Sequence, residues 1–126
     1  MKVRDLMTKQ VIRIHPMEPV SVAARTLEQY NIGMLLVCGK ADRVCGVVTD
    51  RDLVTRCIAA GRRAEETLVR DVMTTGVLAA DPDMGTEEAA KLMGKAQVRR
   101  LPVLENGRLC GVLSMGDLTG NGNGDI

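Results

Sequence analysis

Two short stretches place a hydroxyl three residues ahead of a carboxylate: Thr49-Asp50-Arg51-Asp52 and Ser114-Met115-Gly116-Asp117. In each, the hydroxyl ends an apolar run that a glycine opens, Gly46-Val47-Val48 or Gly111-Val112-Leu113, and a leucine, Leu53 or Leu118, follows the aspartate. This is the pattern of a buried strand running straight into a helix. The three-residue spacing is that of a capping box with aspartate in the usual Glu or Gln place, so two well-capped helices account for it. The same helix ends also present free backbone N–H groups and the positive end of a dipole, a seat for a phosphate. Both readings stand for Thr49, Asp52, Ser114 and Asp117: plain capping, or two similar pockets.

No catalytic constellation accompanies these residues. A cysteine nucleophile needs a base, and the one histidine, His15, recurs as Asp81 in the second copy, where a shared structural role is the simpler view. The four cysteines, Cys38, Cys45, Cys57 and Cys110, have no CxxC or Cys–His spacing, so no structural metal is expected. Cys45 and Cys110 both precede the motif glycine and read as buried strand thiols, and Cys38 and Cys45 could face each other across a hairpin. All four are expected to be free thiols in a reducing compartment.

The elements that must carry the motifs come twice. Val3-Arg4-Asp5-Leu6-Met7-Thr8 returns as Val69-Arg70-Asp71-Val72-Met73-Thr74, a helical turn that leads the chain into each repeat. Strands are predicted at Val11-Ile12-Arg13-Ile14 and Gly76-Val77-Leu78-Ala79-Ala80, each ended by His15-Pro16 or Asp81-Pro82. Amphipathic helices follow at Val20 to Tyr30 and Glu87 to Gln97. Apolar strands Met34 to Cys38 and Leu101 to Leu104 then lead through short polar turns to the motif strands, and the second turn carries Asn106-Gly107, a strong hairpin signal. Pro102 cannot donate to a ladder, so its strand is expected at an edge or with that position facing a cavity. The first copy runs on through Leu53 and Ile58 to a C-cap at Gly61; the second ends in a Gly- and Asn-rich tail from Gly120. The chain therefore divides into residues 1–61, a linker 62–68, residues 69–119 and a flexible tail 120–126.

Composition bounds the partners. The 126 residues fit one compact domain, and a core must be built from aliphatics and eight methionines, since Tyr30 is the one aromatic residue. Seventeen Lys plus Arg against sixteen Asp plus Glu supply no global field for nucleic acid or anionic membrane, and no stacking aromatics are present. No apolar run nears the roughly 20 residues of a membrane span. A cytoplasmic protein is expected.

Laid end to end, each copy reads turn of helix, strand, helix, strand, strand, helix, and over residues 1 to about 119 the chain resembles a tandem pair of CBS domains. Thr49-Asp50-Arg51-Asp52-Leu53 and Gln97-Val98-Arg99-Arg100-Leu101-Pro102-Val103 are similar to stretches of small stand-alone bacterial CBS-pair proteins. The resemblance implies an α/β (α+β) fold of two pseudo-twofold-related repeats, each a small three-stranded sheet with two helices, packed as one CBS-pair (Bateman) module. It implies a regulatory, non-enzymatic sensor whose clefts take an adenosine-containing ligand such as AMP, ADP, ATP or S-adenosylmethionine, with no resident cofactor. By the family's pattern Asp52 and Asp117 would meet ribose hydroxyls, Thr49 and Ser114 would lie near phosphate, and backbone around Leu36, Pro102 and Val103, with Ile12 and Val77 at the strand entries, would hold the base. A carboxylate repels phosphate, so that charge falls to N–H groups, hydroxyls and arginines. Arg99 and Arg100 lead, with Arg51 behind them if Asp50 and Asp52 do not already occupy it. For Arg99 and Arg100 a solvent-facing salt bridge is the competing reading. Gly33 and Met34 hold their places in the first copy, so the two clefts should differ. The family also implies a homodimer, here through the helix of Leu53, Val54 and Ile58, and an effector protein of unknown identity. The competing function is a protein-interaction or stress-response scaffold with ligand-free clefts.

Overall fold

The computed structural model describes residues 1–120, and the chain forms two compact units. The expected tail beyond Gly120 lies outside the described residues. One unit is continuous, Ile12–Val77; the other is split, joining Met1–Val11 to the chain from Leu78 onward.

The continuous unit holds β1 (Arg13–Ile14), α2 (Val20–Tyr30), β2 (Met34–Cys38), β3 (Val44–Thr49) and α3 (Asp50–Leu53). Its three strands are ordered β1-β2-β3, β1 parallel to β2 and β2 antiparallel to β3. The split unit holds α1 (Val3–Leu6), α4 (Thr86–Ala96), β4 (Arg100–Glu105), β5 (Arg108–Ser114) and α5 (Met115–Thr119), with β4 antiparallel to β5. The two amphipathic helices end at Asn31 and Gln97, both in the left-handed conformation. Each 3.6-residue stripe turns into its own core, through Val20, Ala23 and Leu27 in one unit and Ala89 and Met93 in the other.

The strand expected over residues 76–80 contracts to a single parallel bridge, Ala80 to Val103. In the first copy the matching ladder runs for two pairs, Arg13 with Leu36 and Ile14 with Val37. The extra pair needs an N–H at Leu36, and Pro102 in that place has none. Pro102 instead accepts from Ala80 N–H at 2.9 Å, so it sits where the parallel pairing stops.

The repeats and the units are cut differently. The opening turn of the first copy does not pack on its own repeat: Val3, fully buried, joins Leu101, Val103 and Leu113 of the second. The second copy's turn, a 3₁₀ helix at Val69–Asp71, puts Val69 and Val72 into the core around Leu35, Val37 and Val48 of the first. Each turn then runs on as a strap along the motif strand, through the antiparallel bridges Thr8–Val112 and Val47–Thr74.

Both hairpins turn through two left-handed residues. Asn106 (φ 54°) and Gly107 (φ 80°) are as the Asn-Gly signal predicts, but Ala41 (φ 58°) and Asp42 (φ 59°) take the same backbone without it. Asp42 is held there by Arg13, Nε to Oδ1 at 2.9 Å.

The thiols of Cys45 and Cys110 depart from the buried reading. Val37 pairs with Gly46 while Cys38 pairs with Val44, so Cys45 is the unpaired residue of a β-bulge and is exposed; Cys110 is the bulge residue of β5 and half-buried. Val48 and Leu113 face the core, and each cysteine lies three residues before one of them, so alternation already puts it on the other face of the strand. All four cysteines are free. Burial pushes the Cys38 thiol up to about 11, Arg13 opposing it. Below that pH the thiol stays protonated and unreactive. A thiol-labelling time course on native protein at pH 8 should therefore modify Cys45 promptly and leave Cys38 until the protein is unfolded.

Candidate functional site

Both hydroxyl-to-aspartate motifs form complete capping boxes. In the first, Asp52 N–H donates to Thr49 Oγ1 at 3.1 Å and Thr49 N–H to Asp52 Oδ2 at 3.0 Å. In the second, Asp117 N–H donates to Ser114 Oγ at 3.0 Å and Ser114 N–H to Asp117 Oδ2 at 2.8 Å. The helices they cap are short: α3 gives way at Val54–Ile58 to a turn of π-helix that closes at Gly61 (φ 74°).

The surroundings of the two boxes differ. In the split unit Arg100 pairs across the ladder with Ser114, and Arg99 C=O accepts from Met115 N–H at 2.9 Å, so both arginines stand at the start of α5. Their counterparts are Gly33, whose C=O accepts from Asp50 N–H at 3.1 Å, and Met34, which pairs with Thr49. The second motif thus has two arginines, one opening β4 and one just before it, beside its backbone. The first has Asp50, whose carboxylate lies 3.6 Å from where a Gly33 Cβ would be. Among the described residues Asp117 has no polar partner outside its box.

Asp52 is more heavily engaged. It is 8% exposed. Thr74 Oγ1 lies 3.3 Å from its Oδ2, and Arg56 Nε 3.8 Å from its Oδ1. Arg56 Nη1 also donates to Val72 O at 3.1 Å and to Met73 O at 3.0 Å. The cation beside Asp52 is therefore Arg56 and not Arg51: residues four apart share a helix face, and immediate neighbours do not. Arg51 is exposed, and it is its main-chain N–H that donates to Asp50 Oδ1, at 2.8 Å. Reading the sequence missed Arg56 and Thr74. The spacing of Arg56 from Asp52 was a usable signal; the approach of Thr74 was not, since 22 residues separate it from Asp52.

The remaining candidates divide by unit. Leu36 is buried at the centre of the three-stranded sheet, between Arg13 and Val47, and Ile12 packs at the edge of that core. Val77 is half-buried at the end of the same unit. Pro102 and Val103 are buried along β4, opposite Val112 and Gly111. His15 does what Asp81 does: its Nδ1 accepts from Met17 N–H at 3.1 Å, as Asp81 Oδ1 accepts from Asp83 N–H at 2.8 Å. Both close a turn around a proline. Among the described residues no group of three or more His, Cys, Asp or Glu side chains gathers as a metal would need, and no helix is long and apolar enough to cross a membrane.

The doubled strand-to-helix motif, set in two units that each combine a helix with a small sheet, is matched by the CBS domain family model twice, over residues 3–58 and 69–122. The chain belongs to the CBS domain family. It is 37% identical over 119 residues to the CBS domain-containing protein YhcV of Bacillus subtilis, covering 94% of this chain and 84% of that one. Hypoxic response protein 1 of Mycobacterium tuberculosis is 31% identical over 115 residues, 91% of this chain and 80% of its own. A crystal structure of hypoxic response protein I with two coordinated zinc ions superposes at a TM-score of 0.82 with 30% identity, covering 95% of this chain and 98% of that one. The putative acetoin utilization protein AcuB of Vibrio cholerae superposes at 0.86 with 26% identity, covering 98% and 90%. This CBS-pair chain thus shares its two-repeat architecture with small CBS-pair proteins along nearly its whole length.

Proposed function

We propose that this CBS pair is a regulatory sensor without catalytic activity, which binds an adenosine-containing nucleotide, AMP, ADP, ATP or S-adenosylmethionine, through its second motif. The observation that carries the reading is the environment of Asp117: a carboxylate with no polar partner outside its capping box among the described residues, on a helix whose first turn lies beside Arg99 and Arg100. A carboxylate with spare acceptor sites suits a ribose cis-diol. Two guanidinium groups and the Ser114 hydroxyl suit the phosphate that the same carboxylate would repel. Pro102, Val103 and their neighbours on β4 offer an apolar wall and main-chain groups for a base, and no aromatic is needed. Arg51, Thr49, Leu36, Ile12 and Val77 lie in the continuous unit, away from this motif, and the reading does not call on them.

The exposed Val54 and Ile58, 55% and 66% accessible, favour a homodimer built on the α3 and π-helical face. A CBS-CP12 protein of similar fold is described as hexameric, which agrees with self-association in such modules. The same two side chains are what a protein-interaction scaffold would use, the second reading.

The test is thermal unfolding with AMP, ADP, ATP and S-adenosylmethionine, on the parent chain, Asp117→Ala and Asp52→Ala. Ligand at 100 times its dissociation constant should add about 2.7 kcal/mol, and Asp117→Ala should abolish the shift while Asp52→Ala, though less stable, keeps it. If no ligand raises the melting temperature while the chain still self-associates, the scaffold reading replaces the sensor.

A further inference from the structure

We infer that the first hydroxyl-to-aspartate motif has become a clasp: within the continuous unit, Asp52, Arg56 and Thr74 fasten the strap Val69–Thr74 to the motif at the end of β3, and this, not ligand binding, is what the first motif serves. The inference rests on the proposed function only in the clause about ligand; the clasp is argued from geometry alone.

Asp52 is nearly sealed from solvent, and three groups lie on its carboxylate: Thr49 N–H, Thr74 Oγ1 and Arg56 Nε. Arg56 reaches past it to two successive carbonyls, Val72 O and Met73 O, at the end of the 3₁₀ turn. One guanidinium therefore bonds the strap through two carbonyls while forming an ion pair with the carboxylate at 3.8 Å, and it is the charge-assisted bonds to the carbonyls that are the strong ones. The strap is next fixed by the reciprocal backbone bonds of Val47 and Thr74, 2.9 and 2.8 Å. A diol approaching Asp52 would compete with the Thr74 hydroxyl, 3.3 Å from Oδ2, and with the Arg56 guanidinium beside Oδ1.

Among the described residues, the second copy has the strap without the clasp. Thr8, the counterpart of Thr74, makes the same backbone bridge to Val112 at 2.9 Å, yet its hydroxyl does not bond Asp117. At the position of Arg56 the second copy has Asn121. The two carboxylates are alike in sequence and opposite in engagement. Asp52, Arg56 and Thr74 are positioning residues, and the chain should take one nucleotide, at Asp117.

Hydrogen exchange at single-amide resolution tests the clasp without any ligand. Arg56→Met keeps the stem and removes every donor at an exposed site; Thr74→Val removes only a hydroxyl. In Arg56→Met the amides of Val47 and Thr74 should exchange at least about ten-fold faster, with a smaller rise in Thr74→Val, while the Thr8 and Val112 amides stay unchanged. Exchange within two-fold of the parent in Arg56→Met overturns the clasp, as does equal acceleration in both units. Calorimetry with AMP and ATP is the second arm: one nucleotide per chain, retained in Asp52→Asn, is expected. Two per chain, or loss of binding in Asp52→Asn, overturns the assignment of Asp52; no binding by any variant removes the proposed sensor function and leaves the exchange rates to decide the clasp.

Discussion

Replacing Gly46 by alanine should cost about 2–3 kcal/mol, far more than the single methyl group suggests. A Cβ on Gly46 would stand 2.5 Å from Thr74 O and 3.2 Å from the Met73 sulfur. The near atom is a backbone carbonyl that already accepts from Val47 N–H at 2.9 Å, so it cannot swing aside as a side chain would. The strap must lift, and the two bonds of the Val47–Thr74 bridge go with it. Gly111 is under the same constraint, 2.6 Å from Thr8 O, and Gly111→Ala should cost a similar amount in the split unit. Neither glycine has a positive φ, so the need is for space and not for backbone freedom. Urea unfolding measures both; a loss below about 0.5 kcal/mol, the scale of an ordinary surface substitution, would show that the strap yields easily.

Removing residues 1–11 should have the largest effect. The split unit would lose the fully buried Val3 and the partly buried Leu6 and Met7 from its core. It would also lose the bonds of Val3 N–H to Met84 O, Arg4 N–H to Pro82 O, and both members of the Thr8–Val112 bridge, all at 2.9 Å. Burying a valine contributes about 1.5–3 kcal/mol and each hydrogen bond a further 0.5–1.5 kcal/mol. The total, about 5 kcal/mol or more, is comparable with the whole stability of a small domain. The exposed pair of Arg4 with Asp83, 2.8 Å, adds little. Exchange protection measured along the truncated chain should vanish from residue 78 onward and persist within Ile12–Val77, whose core contains nothing from the deleted arm. Protection retained at Leu101, Val103 and Leu113 would mean that the second repeat holds together without the first repeat's opening turn.

The clasp and the two straps bear on how a signal could leave a sensor of this kind. A ligand at the second motif would act on α5 and β4, in the unit whose strap is the N-terminal arm and, among the described residues, has no clasp. Differential contacts, and nothing else, can shift such an equilibrium.

Sequence by itself determined whatever depends on spacing within a few residues. The two capping boxes, the stripes of the helices from Val20 and Glu87, the Asn106-Gly107 turn and the doubling of the chain are all local, because periods of 3.6 and 2 and the special dihedrals of Asn and Gly are properties of neighbours. The placement of Arg99 and Arg100 beside the second motif was also legible, since one hairpin sets it. Tertiary structure alone decided the rest. Val3-Arg4-Asp5-Leu6-Met7-Thr8 and Val69-Arg70-Asp71-Val72-Met73-Thr74 are so nearly the same that nothing in them says which core each fills, and only the closed fold shows that each completes the other's repeat. From that exchange follow the closeness of Thr74 to Asp52, the carbonyls that hold Arg56 and the reason for Gly46 and Gly111. Two aspartates written alike thus acquire different duties, because an acceptor's free valence is set by what the chain folds against it and not by the residues on either side.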